Sequence, residues 1–337
     1  MSLAFMRPIR ADDFDAVHGL AQKSGGGMTN LPSDPKALKA RIDFAVQSFA
    51  KNATKPGGET YTLVLEQAGK VIGISAVFSA IGLESGFINY KVNREFYSSK
   101  ELGKRIVRRV LVPTHDFTGA TEVGSLFLSP DIRGGGFGKL LARARYMFIA
   151  QKPEVVSDRV CAEMRGWRAP DGTQPFWNAV GRHFFEMDFE AADAHNSAYG
   201  NQFIEDMMPR YPVYVALLPE EARKCIGKPH DNALPAFNML IAEGFEYNDY
   251  IDIFDGGPVV DARVPDIRTV RESRVLKVGD VSNHVEGDMA LLAAGAVSTF
   301  RACKAHARIE GDAIFINPDT AKALNVEKGG EVRWAQW

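Results

Sequence analysis

Cysteine is scarce in this chain, with Cys161, Cys225 and Cys303 the only three in 337 residues. Their odd number, their wide spacing and the lack of a C-x-x-C pair argue against a disulfide framework and against a zinc ribbon. We expect Cys161 and Cys225 to be buried as small apolar side chains. The sequence also lacks an H-x-x-x-H pair and any close cluster of histidines and acidic residues, and it therefore predicts no metal site.

The sequence also lacks an excess of charge of either sign. With 40 basic and 42 acidic side chains, the net charge is −2, which gives no electrostatic reason to expect binding to nucleic acid or to an anionic membrane. The longest apolar run, at residues 289–300, is too short to cross a bilayer. The N-terminal residues lack the apolar core of a secretory signal. Composition therefore predicts a soluble, cytoplasmic protein.

The chain is longer than one hydrophobic core usually serves, so more than one domain is expected. Its strand-like and helix-like runs follow in the order strand, two helices, three antiparallel strands, strand, glycine-rich loop, helix, strand, helix, strand. Local signals support this order, because Ser33 or Asp34 can begin the second helix and Ala68-Gly69 can turn a β-hairpin. The order predicts an α/β (α+β) fold with a mixed sheet, rather than a regular doubly wound series.

One pattern occurs twice in the second half of the chain. In residues 174–189 and again in 234–258, a proline begins a short helix, aromatic residues end it and a strand-like run follows. The match is consistent with an internal duplication, or simply with two helix–strand units. Residues 256–270 are typical of a connector. The strand-like runs beyond them predict a small β-rich C-terminal region.

A glycine-rich turn joins a strand to a helix in the middle of the chain. Residues 133–138 are RGGGFG and follow the strand-like run 122–130. Glycines adopt positive φ and let backbone amides approach a ligand, while the start of a helix attracts anions. The turn therefore predicts a phosphate site. In the helix that follows, the apolar face would hold Phe137, Leu140, Leu141, Ala144 and Phe148, with Lys139, Arg143 and Arg145 in solvent.

Three phosphate-binding loops compete for this turn. A Walker A loop needs a hydroxyl residue after Gly138-Lys139, and a dinucleotide fingerprint needs a third glycine where Lys139 stands. The pyrophosphate loop of GCN5-related N-acetyltransferases, R/Q-x-x-G-x-G/A, fits Arg133, Gly134, Gly135, Gly136, Phe137 and Gly138 at every specified position. Acyl-CoA is therefore the favoured ligand, and a tight turn without a ligand is the alternative. Backbone groups of Leu126, Phe127 and Leu128 would hold the pantetheine arm like an added strand.

Longer stretches make the likeness more specific. The chain resembles the arginine N-succinyltransferase family in "MRPIRADDFDAV", "KSGGGMTNLP", "GSLFLSPDIRGGGFGKLLARARYMFIA", "AEMRGWRAPDGTQPFWNAVGRHFFEMDFEAAD", "FIEDMMPRYPVYVALLP" and "IGKPHDNALPAFNMLIAEGF". The resemblance implies transfer of succinyl from succinyl-CoA, a co-substrate and not a permanently bound cofactor, to the α-amine of L-arginine. It assigns a succinyl-CoA contact to Leu126 and the proton donor to His230. His230 stands between Pro229 and Asp231, in a loop where a catalytic group can lie on a rigid scaffold.

We accordingly expect a GCN5-related acyl-CoA-binding domain at residues 1–195, a second α/β half of the same type at 196–258 and the β-rich region at 259–337. Glu163 and Arg165 are candidates for contacting the acceptor, since a carboxylate can pair with a guanidinium and an arginine with a carboxylate. An exposed charged loop is the alternative. An ornithine-preferring enzyme and a non-catalytic CoA-binding subunit remain open, as does assembly into a homo- or hetero-oligomer.

Overall fold

The computed structural model describes residues 3–24, 28, 30–132, 134–200 and 202–337, without the side chains of 197–199. In chain order its strands are β1 (Phe5–Pro8), β2 (Thr60–Gln67), β3 (Lys70–Phe78), β4 (Asn89–Ser99), β5 (Lys104–Thr114), β6 (Thr121–Leu128), β7 (Arg159–Glu163), β8 (Val213–Tyr214), β9 (Glu246–Ile251), β10 (Pro258–Arg263), β11 (Arg274–Val281), β12 (Asp288–Ala294), β13 (Arg301–Glu310), β14 (Ala313–Ile316) and β15 (Glu331–Gln336).

The helices, again in chain order, are α1 (Phe14–Lys23), α2 (Pro35–Ala50), α3 (Phe137–Gln151), α4 (Pro175–Ala179), α5 (Arg182–Phe185), α6 (Phe189–Tyr199), α7 (Gln202–Met207), α8 (Glu220–Cys225), α9 (Leu234–Ala242), α10 (Arg268–Glu272) and α11 (Pro318–Leu324). None of those described is both long enough and apolar enough to cross a membrane. The contacts divide the chain into two units, the first of residues 1–80, 121–160 and 263–337 and the second of 81–120 and 161–262.

The first unit has a mixed sheet with the strand order β12-β15-β11-β14-β13-β1-β2-β3-β6. The C-terminal strands join the N-terminal ones because β1 pairs antiparallel with β13, Phe5 lying opposite Cys303. On β3, Ile74 packs in a cluster with the apolar residues of α1 and α2, and its neighbour Gly73 closely approaches Leu141 of α3. Because successive strand residues point to opposite faces, α1 and α2 cover one face of the sheet and α3 covers the other.

The second unit has a sheet with the strand order β7-β10-β9-β4-β5-β8. The pairs from β10 through β8 are antiparallel. Its core holds Phe176 and Trp177 of α4, both fully buried, together with apolar residues of β4, β5 and the short helices α6 to α8. Trp177 donates its indole N–H to the carbonyl of Met187 at 3.1 Å, so this large core side chain also meets its polar requirement.

Several local predictions are confirmed. The fold is a mixed α/β one with a β-rich C-terminal region. Asp34 caps α2 by accepting the backbone N–H of Ala37 at 2.7 Å. Ala68 and Gly69 both have positive φ between β2 and β3, as a two-residue hairpin turn of type I′ requires. Cys161 and Cys225 are buried free thiols.

Three sequence-based interpretations are wrong. The strand predicted to end the 174–189 segment is absent, because the helix-forming residues of 189–199 make α6 there. In the 234–258 segment, by contrast, strand β9 does follow helix α9. The two segments are therefore alike only in their helices. Residues 256–270 are not merely a connector, since they contain the largely buried strand β10. Strand β5, the antiparallel partner of β4, was missed because its arginines interrupt the alternation of apolar and polar residues that identifies a strand. The three contiguous domains stay a prediction.

The expectation for α3 is also wrong in one respect. Arg143 and Arg145 are buried, not solvent-exposed. Arg143 donates to Thr269 Oγ1 at 2.9 Å and to the carbonyl of Gln336 at 2.7 Å. The reason is that α3 contacts β12, β13 and α10 of the C-terminal region as well as β3 and β6, so the helix has no wide solvent face on which a polar residue could lie.

Candidate functional site

Three consecutive glycines make the turn between β6 and α3. Gly134, Gly135 and Gly136 have φ values of 76°, 66° and 76°, a left-handed conformation that costs other residues about 1 kcal/mol or more each. Gly136 is the N-cap residue of the 15-residue helix α3. The first backbone N–H groups of that helix have no intrahelical acceptors, so they can bind an anion. Arg133 lies outside the described residues.

Cations and an aromatic ring from distant parts of the chain surround this turn. Lys304 of β13 donates its ammonium to the carbonyl of Gly135 at 3.3 Å. The Nζ atoms of Lys304 and Lys139 lie 4.8 and 4.7 Å from the ring centroid of Trp337, within cation–π range. Two positive charges near exposed amides favour a diphosphate. Sequence reasoning missed Lys304 and Trp337, because no local signal links them to the turn.

A β-bulge interrupts β6 just before the predicted pantetheine contact. Ile74 lies opposite Phe127 and Ala76 lies opposite Gly124, so Ser75 faces both Ser125 and Leu126. Ser125 has a positive φ of 52°. A bulge of this kind leaves the extra residue outside the regular ladder and bends the strand. The predicted contacts Leu126, Phe127 and Leu128 are each half-buried, so the structure leaves part of each accessible.

In the second unit, His230 is held by two hydrogen bonds. Its backbone N–H donates to the carbonyl of Arg165 at 2.8 Å, and its ring Nδ1 accepts the backbone N–H of Asn232 at 3.1 Å. Burial and then the nearby Arg165 and Arg168 lower the pKa of His230. The imidazole is therefore neutral near neutral pH. Because Nδ1 accepts, Nε2 carries the proton and can donate it in a hydrogen bond.

Hydrogen bonds to the backbone hold the segment that contains Arg165 in place. Asp255 is buried and accepts the backbone N–H of Gly166 at 2.7 Å and of Gly257 at 2.9 Å. Burial and the like charge of Arg168 lower the pKa of Arg165, while Asp255 and Asp193 oppose that shift. The structure thus brings Arg165 close to His230, as the backbone bond between them shows.

Glu163, the last residue of β7, is hydrogen-bonded to Asn89. Its Oε1 accepts Nδ2 of Asn89 at 2.8 Å. Asn89 is fully buried, and its Oδ1 has no hydrogen-bond partner among the described residues. The Glu163 carboxylate and the Asn89 amide oxygen are both hydrogen-bond acceptors, and acceptors of this kind can receive N–H groups from a cationic ligand. Asn89 was not among the residues predicted from the sequence, because a single Asn at the start of a strand carries no recognisable signal.

Comparisons with known proteins cover nearly the whole chain. A family model described as arginine N-succinyltransferase beta subunit matches residues 4–269, and one described as the C-terminal domain of that subunit matches residues 273–336. The chain is 40% identical to arginine N-succinyltransferase subunit beta of Pseudomonas aeruginosa, with 97% of this chain and 96% of that protein covered. It is 36% identical to the arginine N-succinyltransferase of Escherichia coli, with the same coverage.

A solved structure is similar as well. The arginine/ornithine succinyltransferase subunit AI from Pseudomonas aeruginosa superimposes with a TM-score of 0.90 at 33% sequence identity. The match covers 100% of this chain and 99% of that one.

Proposed function

The chain belongs to the arginine N-succinyltransferase beta subunit family, and we infer that it is an acyltransferase that moves the succinyl group of succinyl-CoA to the α-amine of L-arginine. The products would be N2-succinylarginine and coenzyme A. Among the structural features, the glycine turn before α3 supports this proposal most strongly, since it combines left-handed glycines, a helix start and Lys304 where an acyl-CoA diphosphate would need them.

The donor would bind along β6 and the turn. Backbone amides of Gly134 to Gly138 would hold the diphosphate, with Arg133 assigned to the same loop by the motif. The bulge at Ser125 frees backbone groups of Leu126 from the regular ladder, and Leu126 to Leu128 would contact the pantetheine arm and the thioester. Succinyl-CoA is a co-substrate in this proposal, and no permanently bound cofactor is expected.

The reaction forms one bond and breaks one. The neutral α-amine nitrogen attacks the thioester carbonyl carbon, the carbonyl oxygen takes negative charge, and the carbon–sulfur bond then breaks as the amide forms. The amine loses one proton and the thiolate of coenzyme A gains one. We propose His230 as the proton donor: its Nε2–H gives its proton to the thiolate sulfur as the carbon–sulfur bond breaks, and the proton that the amine loses then takes its place on Nε2, so that the imidazole ends neutral.

Glu163 and Arg165 are proposed to contact the acceptor. Glu163 and the Oδ1 atom of Asn89 offer hydrogen-bond acceptors to a guanidinium or ammonium group. Arg165 offers a cation for a carboxylate. Ornithine is a second candidate acceptor, because the similar solved structure is that of an arginine/ornithine succinyltransferase subunit. Its ammonium group could take the place of the guanidinium beside Glu163.

Release of free thiol tests the activity. The purified protein is incubated with succinyl-CoA and either L-arginine, L-ornithine or no amine, and the acylated amine is identified by mass. Transfer to arginine above ornithine is the expected result. Thiol release with ornithine alone would move the assignment to the second acceptor. Binding of CoA without release of thiol in the presence of either amine would support a non-catalytic CoA-binding subunit instead.

Two of the similar proteins, both from Pseudomonas aeruginosa, are named as subunits, so we propose that this chain also assembles into an oligomer, with copies of itself or with a related chain. The mass of the purified chain in solution, measured by light scattering with and without such a related chain, distinguishes the two arrangements. A cytoplasmic location stays a prediction from composition.

A further inference from the structure

The first unit contains a cavity of about 250 Å³ on the face of the sheet that α1 and α2 cover. We call it the Arg41 cavity. Its walls come from α1, α2, the residues Asn30 and Leu31 between them, and strands β2, β3 and β6. Most of the lining is aliphatic or aromatic, including Leu38, Ile42, Ile74 and Phe78. Arg41 of α2 provides a positive charge in this apolar wall.

Arg41 is half-buried, and it keeps hydrogen-bonding capacity. Its described hydrogen bond runs from Nη1 to Oδ1 of Asn30 at 3.5 Å, which is long for a guanidinium donor, whereas the group has five N–H donors in a planar fork. Burial lowers the pKa of Arg41, with the charge of Glu122 opposing the shift, but arginine stays protonated in proteins. A partly desolvated cation of this kind favours an anionic partner.

Glu122 does not fully neutralise Arg41. Burial raises the pKa of Glu122 to about 7, although Arg145 and Arg41 both act to lower it. A large fraction of its carboxyl groups is therefore protonated at neutral pH, and Glu122 also lies near the second cation, Arg145. Arg41, which lines the cavity, therefore keeps a positive charge that Glu122 only partly offsets. An incoming carboxylate would balance that charge.

The cavity also borders the proposed donor strand. Ser125 lines it and directly precedes Leu126 in the chain, at the bulge where β6 departs from its regular pairing with β3. An acyl group attached to a thioester at Leu126 would thus begin next to the cavity. At about 30 Å³ for each water-sized group, roughly eight such groups fill the cavity, which suits a four-carbon acyl chain with its oxygens and is too small for coenzyme A.

We propose that the Arg41 cavity binds the acyl group of the donor, with the Arg41 guanidinium pairing with the distal carboxylate of succinyl. The inference rests on the proposed function, and it names the residue that selects a dicarboxylic acyl-CoA over a monocarboxylic one. The apolar walls contact the two methylene groups, and the guanidinium forms a charge-assisted pair that acetyl or butyryl groups cannot form. Desolvation by the surrounding apolar side chains strengthens that pair.

A second carboxylate is present in the reaction, that of the amino acid acceptor, and it has the same chemistry. The experiment separates the two sources by using two donors and two acceptors. Succinyl-CoA is compared with butyryl-CoA, which has the same chain length without the charge, and L-arginine is compared with agmatine, which is arginine without its carboxylate. The measured quantity is kcat/KM for each pair, in the wild type, in Arg41→Gln and in Arg41→Lys.

The expected result is a loss of donor selectivity. Arg41→Gln should lower the succinyl-to-butyryl ratio of kcat/KM roughly 30- to 100-fold, the effect of losing hydrogen bonds to a charged group, and leave the arginine-to-agmatine ratio within about twofold. Arg41→Lys should lower the first ratio by a smaller factor, since it keeps the charge and loses the planar fork. Arg333→Gln serves as the matched control, because Arg333 is another half-buried arginine, bonded to Ser273 at 3.1 Å, and should change neither ratio.

Three results would overturn the inference. An unchanged succinyl-to-butyryl ratio in Arg41→Gln would show that Arg41 only pairs with Glu122. A fall in the arginine-to-agmatine ratio instead would assign the cavity to the acceptor. If Arg41→Gln does not fold, as judged by its thermal transition, an unchanged donor ratio in Arg41→Lys overturns the inference. Failure of the proposed function is distinct, because the wild type would then transfer neither acyl group to either amine.

Discussion

Trp337 lies directly against Gly136, since a β-carbon built at Gly136 would come within 2.9 Å of Cζ2 of the tryptophan ring. The two residues are 201 positions apart, yet the ring covers the start of α3. The contact shows that the β-rich C-terminal region forms part of the surroundings of the glycine turn. The contact also means that a side chain added at Gly136 would clash with Trp337.

Gly136→Ala should weaken binding of coenzyme A about tenfold or more. The variant meets both the strain of a left-handed backbone and the clash with Trp337, and the larger Gly136→Val should abolish binding. Gly138→Ala is the matched control, because Gly138 lies in α3 and an added β-carbon would meet no described atom within 4 Å beyond its chain neighbours and its own helix backbone. Alanine favours a helix and keeps the backbone N–H. Calorimetric titration with coenzyme A checks both; equal losses of affinity in the two alanine variants would contradict the expectation.

Lys304→Met should weaken coenzyme A binding about tenfold and reduce its dependence on salt. The reason is that Lys304 places a positive charge beside the carbonyl of Gly135, where it can attract the phosphates. Lys328→Met serves as the control, since Lys328 is exposed and pairs with Asp280. Affinity is measured at low and at high salt. Identical behaviour of the two variants would exclude a role for Lys304.

His230→Ala should lower kcat by about a hundredfold to ten thousandfold, as loss of a proton-transferring group does, while the affinity for coenzyme A stays nearly intact. His183 is an exposed histidine of α5, so His183→Ala provides a control that should keep full turnover. Steady-state kinetics and a CoA titration on the same preparations check both halves of this prediction. Turnover at the wild-type level in His230→Ala would remove His230 from the mechanism.

Arg168→Gln should raise the pKa of His230 toward its usual 6.5. Arg168 is one of the two cations that lower this pKa, after burial, and removing a positive charge makes the protonated imidazole less unfavourable. The ring proton signals of His230, followed by NMR as a function of pH, report the change. We expect the acidic limb of the kcat profile to move upward in pH by the same amount. A pKa that falls or stays the same would show that the charge of Arg168 does not lower the pKa of His230.

Glu122→Gln should stabilise the protein more at pH 8.5 than at pH 5. The folded-state pKa of Glu122 is raised from its usual 4.5 to about 7, so the folded chain binds this proton more tightly than the unfolded one, and the wild type loses stability as pH rises through that interval. The glutamine variant lacks this loss, which amounts to roughly 1–3 kcal/mol. Denaturant unfolding at the two pH values measures it. A gain that is equal at both would contradict the raised pKa.

Features that depend on neighbouring residues were predicted well from the sequence. The strand, glycine turn and helix at 121–151 follow from short-range rules, because turn conformation and helix starts are set within a few residues. The hairpin at Ala68-Gly69 and the cap at Asp34 are of the same kind. The family motifs likewise predicted the acyltransferase class, since they lie in contiguous stretches of the chain.

The errors have a physical cause as well. Arg143 and Arg145 were placed in solvent because charged side chains are rarely buried without partners, but Arg143 finds its partners Thr269 and Gln336 far along the chain. Arg145 donates to the carbonyl of Ala142 in its own helix at 3.1 Å. Strand β5 was missed because a polar alternation identifies a strand only once its antiparallel partner is known. For Arg143 the deciding neighbours are distant in sequence, whereas β4, the partner of β5, immediately precedes it.

By itself, the sequence determined that a positive-φ turn stands before a helix, since this depends on backbone conformation within six residues, and it predicted an acyl-CoA as the ligand of that turn. Only the tertiary structure decided that Lys304 and Trp337 lie beside this turn, that Arg165 bonds to His230 and that Arg41 faces an apolar cavity. Those arrangements arise from strand register and helix packing between distant segments, which local residue patterns do not encode.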